Sequence, residues 1–310
     1  MKRPPVWQFL KDIVNQWIED NPFQLASSLS YYTLFSLAPI LIIAISVAGF
    51  VFGREAAQNQ IVQTIQALVG PDSAKAVQSM IQESSSEPTT GMISTIVGIV
   101  VLLFGAGGVV AQLQTSLNTI WGVTAKSGLG IWAFVRQRVV SFAMVLAIGF
   151  LLLVSLAITA LLSALVQSLS LLVGMAAFLA YLFDLFVSFV FVTILFALIY
   201  KFLPDVRIQW KDIWIGAALT SLLFTIGKFL IGFYLGSSGI ASPFGAAGSL
   251  ITILLWVYYS SLIFFLGAEF TQVYASRYGS GVVPAENAES IAKAKSEEPR
   301  QSPPPERRIA

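Results

Sequence analysis

Three ionisable side chains fall where an apolar chain tolerates them least. Asp184, Lys228 and Glu269 each lie inside or at the edge of a run of roughly 20 apolar residues, long enough to cross a bilayer. A charge in such a place costs a few kcal/mol on insertion scales, so each requires a partner or water. At about 1.5 Å per residue, Asp184 and Lys228 reach matching depths near 10 Å, on segments expected to be adjacent and antiparallel. They are candidates for a polar pathway or for a structural ion pair. Glu269 sits near the other end of its run. Its expected partner is a basic side chain, either from the loop with Arg207 and Lys211 or from Arg136 or Arg138.

The rest of the chemical inventory is defined by what is missing. The chain has no cysteine and no histidine. That removes the thiol nucleophile, the disulfide, and the commonest acid/base and metal ligand at neutral pH. No catalytic residue, metal site or cofactor is expected. GxxxxGK[ST], GxSxG and HExxH are absent, so nothing binds ATP through a P-loop. Energy coupling would have to come from an ion gradient or another protein. No basic stripe with interleaved aromatics appears, so nucleic acid is not an expected partner.

The elements that must carry these residues follow from composition. Of 310 residues, 56% are hydrophobic and only 11% are charged, where a soluble domain has about 25%. The expected fold is all-α: a polytopic membrane helix bundle of about six spans, with the lipid bilayer as its solvent. The spans run over about 29–52, 92–113, 139–163, 178–200, 213–235 and 250–271. Residues 1–22 are expected to hold a cytoplasmic amphipathic helix, with Val6, Trp7, Leu10, Ile13, Val14, Trp17 and Ile18 on one face. Asn21-Pro22 ends it. The membrane domain covers 23–275, interrupted by an external helical hairpin at about 53–91 that turns at Gly70-Pro71. Residues 276–310, rich in Pro, Glu, Lys and Ser, are expected to form a disordered cytoplasmic tail.

Lysine and arginine set the orientation. The N-terminus, the loops after spans two and four, and the tail carry nearly all of them, which puts both termini in the cytoplasm by the positive-inside rule. Met1 to Asp20 lacks the apolar core of a signal peptide, so the first span is expected to act as the insertion signal.

Small and helix-breaking residues form a second group of candidates. Pro39 removes a backbone donor inside span one and is expected to kink it. Gly105, Gly107 and Gly108 concentrate in span two, which they pack tightly or break. Gly232 and Gly236 form a GxxxG suited to close packing. Pro243, Gly245 and Gly248 lie in the uncharged stretch 236–249, a surface loop or a re-entrant one tolerated inside protein or water.

Several motifs occur in a recognisable order. They are Ala26-Ser27-Ser28-Leu29-Ser30-Tyr31-Tyr32-Thr33-Leu34-Phe35-Ser36-Leu37-Ala38-Pro39, then Asn118-Thr119-Ile120-Trp121, then Tyr200-Lys201-Phe202-Leu203-Pro204 with Trp210. Trp256-Val257-Tyr258-Tyr259-Ser260-Ser261 and Gly267-Ala268-Glu269 complete the set. Over about 8–275 the chain resembles the YihY/BrkB family of bacterial inner-membrane proteins. One departure is Ser242-Pro243-Phe244-Gly245, where many members carry a Tyr-Gly motif. An older ribonuclease label for that family finds no support in residue types. Two readings of function stand: a transporter or exporter of an amphiphilic or small envelope-related molecule, or a non-catalytic membrane organiser acting through partner binding.

Overall fold

A computed structural model describes residues 6–86, 107–126, 175–237 and 247–297. Helix α1 (Val6–Glu19) is followed by α2 (Pro22–Phe52). Asn21, in the left-handed region at φ 55°, turns the chain between them, and Pro22 opens α2 where its missing N–H costs nothing. Pro39 lies within α2, which runs on past it as one helix. Gly53 and Gly70, both with positive φ, separate α2 from α3 (Arg54–Val69) and α3 from α4 (Pro71–Ser86). The expected helical hairpin is α3 with α4. Its apolar residues Ile61, Ile65, Val77 and Ile81 pack on Leu41 and Ile45 of α2 and on Ile253.

Residues 107–120 are helical (α5) and lead into strand β1 (Val123–Ala125). Then come α6 (Met175–Phe202), strand β2 (Val206–Arg207), α7 (Trp210–Ser237) and α8 (Gly248–Arg277). Among the described residues four helices are long and apolar enough to cross a membrane: parts of α2, α6 and α7, and all of α8. They match the first, fourth, fifth and sixth expected spans. The third expected span and most of the second lie outside the described residues. Large apolar side chains such as Phe35, Phe186, Phe229 and Phe233 are exposed on these helices. In water they would form a large unfavourable patch, whereas hydrocarbon solvates them. The chain is an all-α membrane helix bundle.

One expectation is corrected. Residues 276–297 are folded rather than disordered. Strand β3 (Val283–Pro284) pairs with β2, strand β4 (Ala288–Ser290) pairs antiparallel with β1, and a short helix α9 (Ile291–Glu297) follows. Composition alone predicts disorder because this stretch buries little of its own. It is ordered by backbone pairing with edges that the bundle already presents.

The main core gathers at this same end: Leu117, Trp121, Tyr200, Leu203, Ile213, Phe265 and Ala268 are all buried together.

Candidate functional site at the α1 end of the bundle

Helices α7 and α8 cross at unusually short range. A Cβ on Gly216 would run into Thr271, and one on Gly267 would run into Thr220. Each threonine in turn donates its hydroxyl to the carbonyl of the glycine four residues earlier on its own helix, at 2.7 Å for Thr220 and 2.6 Å for Thr271. Two Gly-x3-Thr units thus interlock reciprocally, threonine on glycine. Tyr200 of α6, fully buried, closes the same contact. Its hydroxyl donates to Phe264 O at 2.7 Å and lies 3.1 Å from Thr220 Oγ1.

Two carboxylates brace the surrounding chain. Asp205 accepts from Asn118 Nδ2 (2.9 Å), Gln114 Nε2 (3.3 Å) and Asn287 Nδ2 (3.1 Å), while its own N–H donates to Asn118 Oδ1 (2.8 Å). It links α5, the turn after α6 and the tail through neutral donors. Asp212, buried in the first turn of α7, accepts from both N and Oγ of Ser280. Lys201 donates to Ile208 O and lies 5.6 Å over the Trp210 ring, which stacks on Trp214.

The third arrangement is a polar seam between α1 and the last turns of α8. The apolar stripe of α1 is divided. Phe9 and Ile13 are buried on Val273 and against Phe270 and Tyr274, while Trp7, Leu10, Val14 and Ile18 stay exposed. Beside the buried strip runs a row spaced four residues apart: Asp12, Gln16 and Asp20, with Asp20 N still bonded to Gln16 O. Facing it on α8 are Glu269, Gln272, Ser276 and Arg277. The helices run antiparallel, with Asp12 ion-paired to Arg277 at one rung and Asp20 reaching Glu269 two turns away. At the Asp12–Arg277 rung lies an open cavity of about 280 Å³ lined by Asp12, Asn15, Gln16, Gln272, Ser276 and Arg277.

Glu269 has 0% of its surface exposed, and neither carboxyl oxygen meets an N–H or O–H donor. The group within hydrogen-bonding reach is the Asp20 carboxyl, itself an acceptor unless it carries a proton. Gln16 Oε1 and Gln272 Oε1 are likewise buried without a donor. Burial pushes the Asp20 carboxyl above its ordinary range; its hydrogen bond with Glu269 opposes this and the nearby Glu19 charge adds to it.

The residues singled out from sequence fare differently. Glu269 has no basic partner among the described residues: Arg207 is exposed and paired with Glu286, and Lys211 is exposed, while Arg136 and Arg138 lie outside the described residues. Its neighbour is another acid, because α1 folds back over α8, which spacing along the chain does not reveal. Lys228 is half-buried, with Nζ 5.2 Å over the Phe229 ring. The side chain of Asp184 lies outside the described residues, but its backbone level can be placed. Ser221 Oγ donates to Phe189 O at 3.1 Å, so those residues are level on antiparallel α6 and α7. Asp184 and Lys228 lie about 7.5 and 10.5 Å beyond them by helical rise, in the same direction.

Gly108 faces the Tyr32 ring, 3.3 Å from where its Cβ would be, and Gly107 is helical with it. Gly105, Pro243 and Gly245 lie outside the described residues, while Gly248 is buried at the start of α8. Gly232 has open space around it save Leu68 O at 4.0 Å, so the close approach is at Gly216 and Gly267 instead. Sequence reasoning missed those two, Asp205 and Asp20. The repeated Gly-x3-Thr spacing was the available signal for the first pair.

Residues of several motifs that carry the resemblance meet here: Asn118 on Asp205, Trp121 and Tyr200 in the core, Lys201 on Trp210, Gly267 under Thr220, and Glu269 against Asp20. Comparison with known proteins agrees. A family model described as "Virulence factor BrkB" matches residues 13–292. The chain is 28% identical to a UPF0761 membrane protein of Psychrobacter sp. (strain PRwf-1), over 85% of this chain and 47% of that protein. It is 27% identical to one of Alcanivorax borkumensis, over 83% and 58%, and 29% identical to one of Verminephrobacter eiseniae, over 79% and 57%. The chain thus spans about half the length of the curated relatives it matches. No solved structure matches it. With a match that runs from α1 into α9, the chain belongs to the virulence factor BrkB family of membrane proteins.

Proposed function

We propose that the protein is a multi-pass, non-enzymatic component of the bacterial inner membrane, with both termini in the cytoplasm, that transports or exports an amphiphilic or small envelope-related molecule. The observation that carries this reading is Glu269. Its carboxyl is fully buried in a spanning helix, with no cation and no donor among the described residues. A residue kept at that cost without a structural ion pair marks a substrate or ion path by default. The orientation draws support from Lys126, Lys201, Arg207, Lys211 and Arg277, which gather at the α1 end with exposed Trp7, Trp210 and Trp214. Basic residues and tryptophans together suit a cytoplasmic membrane face. The exposed apolar strip of α1 favours a second reading, a membrane organiser held at the interface by that helix.

The test compares the lipid and small-molecule content of cells lacking the protein with cells restored by wild type or by Glu269→Gln at matched protein level. Transport predicts a species that accumulates without the protein, is cleared by wild type and persists with Glu269→Gln. Full clearance by Glu269→Gln would remove the basis of the proposal.

A further inference from the structure

We infer that Asp20 and Glu269 form a binding site for a single proton, shared between their carboxyl groups across the contact of α1 with α8. The inference rests on the transport reading only in its last step: if Glu269 serves transport, the coupling ion is H⁺.

Geometry argues for one proton. Two carboxyls in hydrogen-bonding reach, one of them sealed from solvent, cannot both be ionised in a medium of low dielectric. A proton on either one turns two acceptors into a donor and an acceptor, and satisfies an oxygen of Glu269 that otherwise meets none. The pair then titrates as a unit rather than as two residues.

Among the described residues nothing nearby offers a counter-charge instead. On α8, Arg277 is committed to Asp12, two turns away. On α1, the further charges are Lys11, which is exposed, and Glu19, which opposes a second negative charge. Helix α2 carries no acidic or basic residue from Pro22 to Phe52. On α7, Asp212 is held by Ser280, Lys211 is exposed, and Lys228 lies four turns further along the helix. The described residues hold no group of three acids fit for a metal ion.

Room for water lies close by. Gln16 and Gln272, each within about one turn of a member of the pair, line the 280 Å³ cavity with Oε1 atoms that lack donors. That volume exceeds the roughly 30 Å³ share of one water several times over. Release of the proton would leave two carboxylates, a state that requires α1 to loosen from α8 and admit water.

The chain suits a direct test, because it contains no histidine and no cysteine. Apart from the α-amino group, no side chain of ordinary character titrates between about pH 5 and 8. The full chain, purified in detergent at constant ionic strength, is unfolded at a series of pH values in choline, sodium and potassium chloride. Burial makes the folded state keep the Asp20 proton above the pH at which a free carboxyl loses it, so stability falls as pH rises through that window. One proton gives up to a tenfold loss in the folding equilibrium per pH unit. Glu269→Gln and Asp20→Asn should each flatten this dependence.

Should either variant fail to fold, infrared difference spectra of wild type between acid and alkaline buffer serve the same purpose. A protonated-carboxyl carbonyl band lost on alkalinisation supports the site, and its absence overturns it. No pH dependence in wild type, an unchanged slope in Glu269→Gln, or a midpoint that follows sodium or potassium instead of pH would each overturn it too. The outcomes separate from those of the cell experiment. A proton-linked stability with full clearance by Glu269→Gln keeps the site and removes transport, and the converse keeps transport and removes the proton.

Discussion

Adding one methyl group at Gly267 tests whether the interlocked crossing of α7 and α8 holds this end together. In Gly267→Ala the new carbon would enter the volume of the Thr220 side chain. Helix α7 cannot slide away freely, because Thr271 already rests on Gly216 one turn along. Overpacking of a tight interior costs about 1–3 kcal/mol. A displaced Thr220 also leaves its place 3.1 Å from the Tyr200 hydroxyl, a loss of about 1 kcal/mol in protein interiors and somewhat less in membranes. The sum is about 2–4 kcal/mol, between tens-fold and roughly a thousandfold in the folding equilibrium. Unfolding in detergent, followed by the fluorescence of the seven tryptophans, reads it. Thr220→Gly has its own cost, but it makes room for the methyl. The double variant should therefore be no less stable than Thr220→Gly alone, a coupling of at least about 2 kcal/mol. Wild-type stability of Gly267→Ala, or strictly additive losses, would refute the close crossing.

Two further outcomes are expected. If Asp184 and Lys228 pair at their shared level, Asp184→Asn and Lys228→Met should each destabilise the protein by about 3–5 kcal/mol, and the double variant should recover much of it; strictly additive losses would show that they do not interact. A thiol from Ser85→Cys, in a chain with no other cysteine, should react with an impermeant reagent added outside intact cells, and thiols from Ser127→Cys or Ser296→Cys should not. Outside labelling at Ser127→Cys would reverse the proposed orientation.

The spans were legible because a membrane helix announces itself by a run of apolar residues, without any long-range knowledge. Residues 178–200 and 213–235 were bounded to within three residues of α6 and α7. Asn21-Pro22 and Gly70-Pro71 marked real turns, since local backbone chemistry decides them. Pairings between distant segments were another matter. Glu269 looked like one end of an ion pair because basic loops lie nearby in sequence. Only the fold shows that α1 returns over α8 and brings Asp20 to it. The tail failed for a related reason. Val283–Pro284 and Ala288–Ser290 have no apolar face of their own, so no periodicity reveals strands whose partners are residues 206–207 and 123–125.

Those strand partners have a consequence for the order of assembly. A membrane chain is inserted span by span as it is made. The ladder of Val123 with Ser290 joins segments more than 160 residues apart. The bonds from Asn287 to Asp205 and from Ser280 to Asp212 close large loops as well. Such long-range closures form late, because the entropy of the loop must be overcome before any contact rewards it. The clasp on this face is therefore fastened only after the last span, which ends at Arg277, and the chain as far as Ser290 have been translated. Until then Asp205 and Asp212 wait for their final donors, and the inserted helices stand as an unlatched barrelful of staves, open to the quality-control machinery at the membrane. A nascent chain stalled before residue 280 would present that unlatched form, with its spans in place and its closing piece still missing.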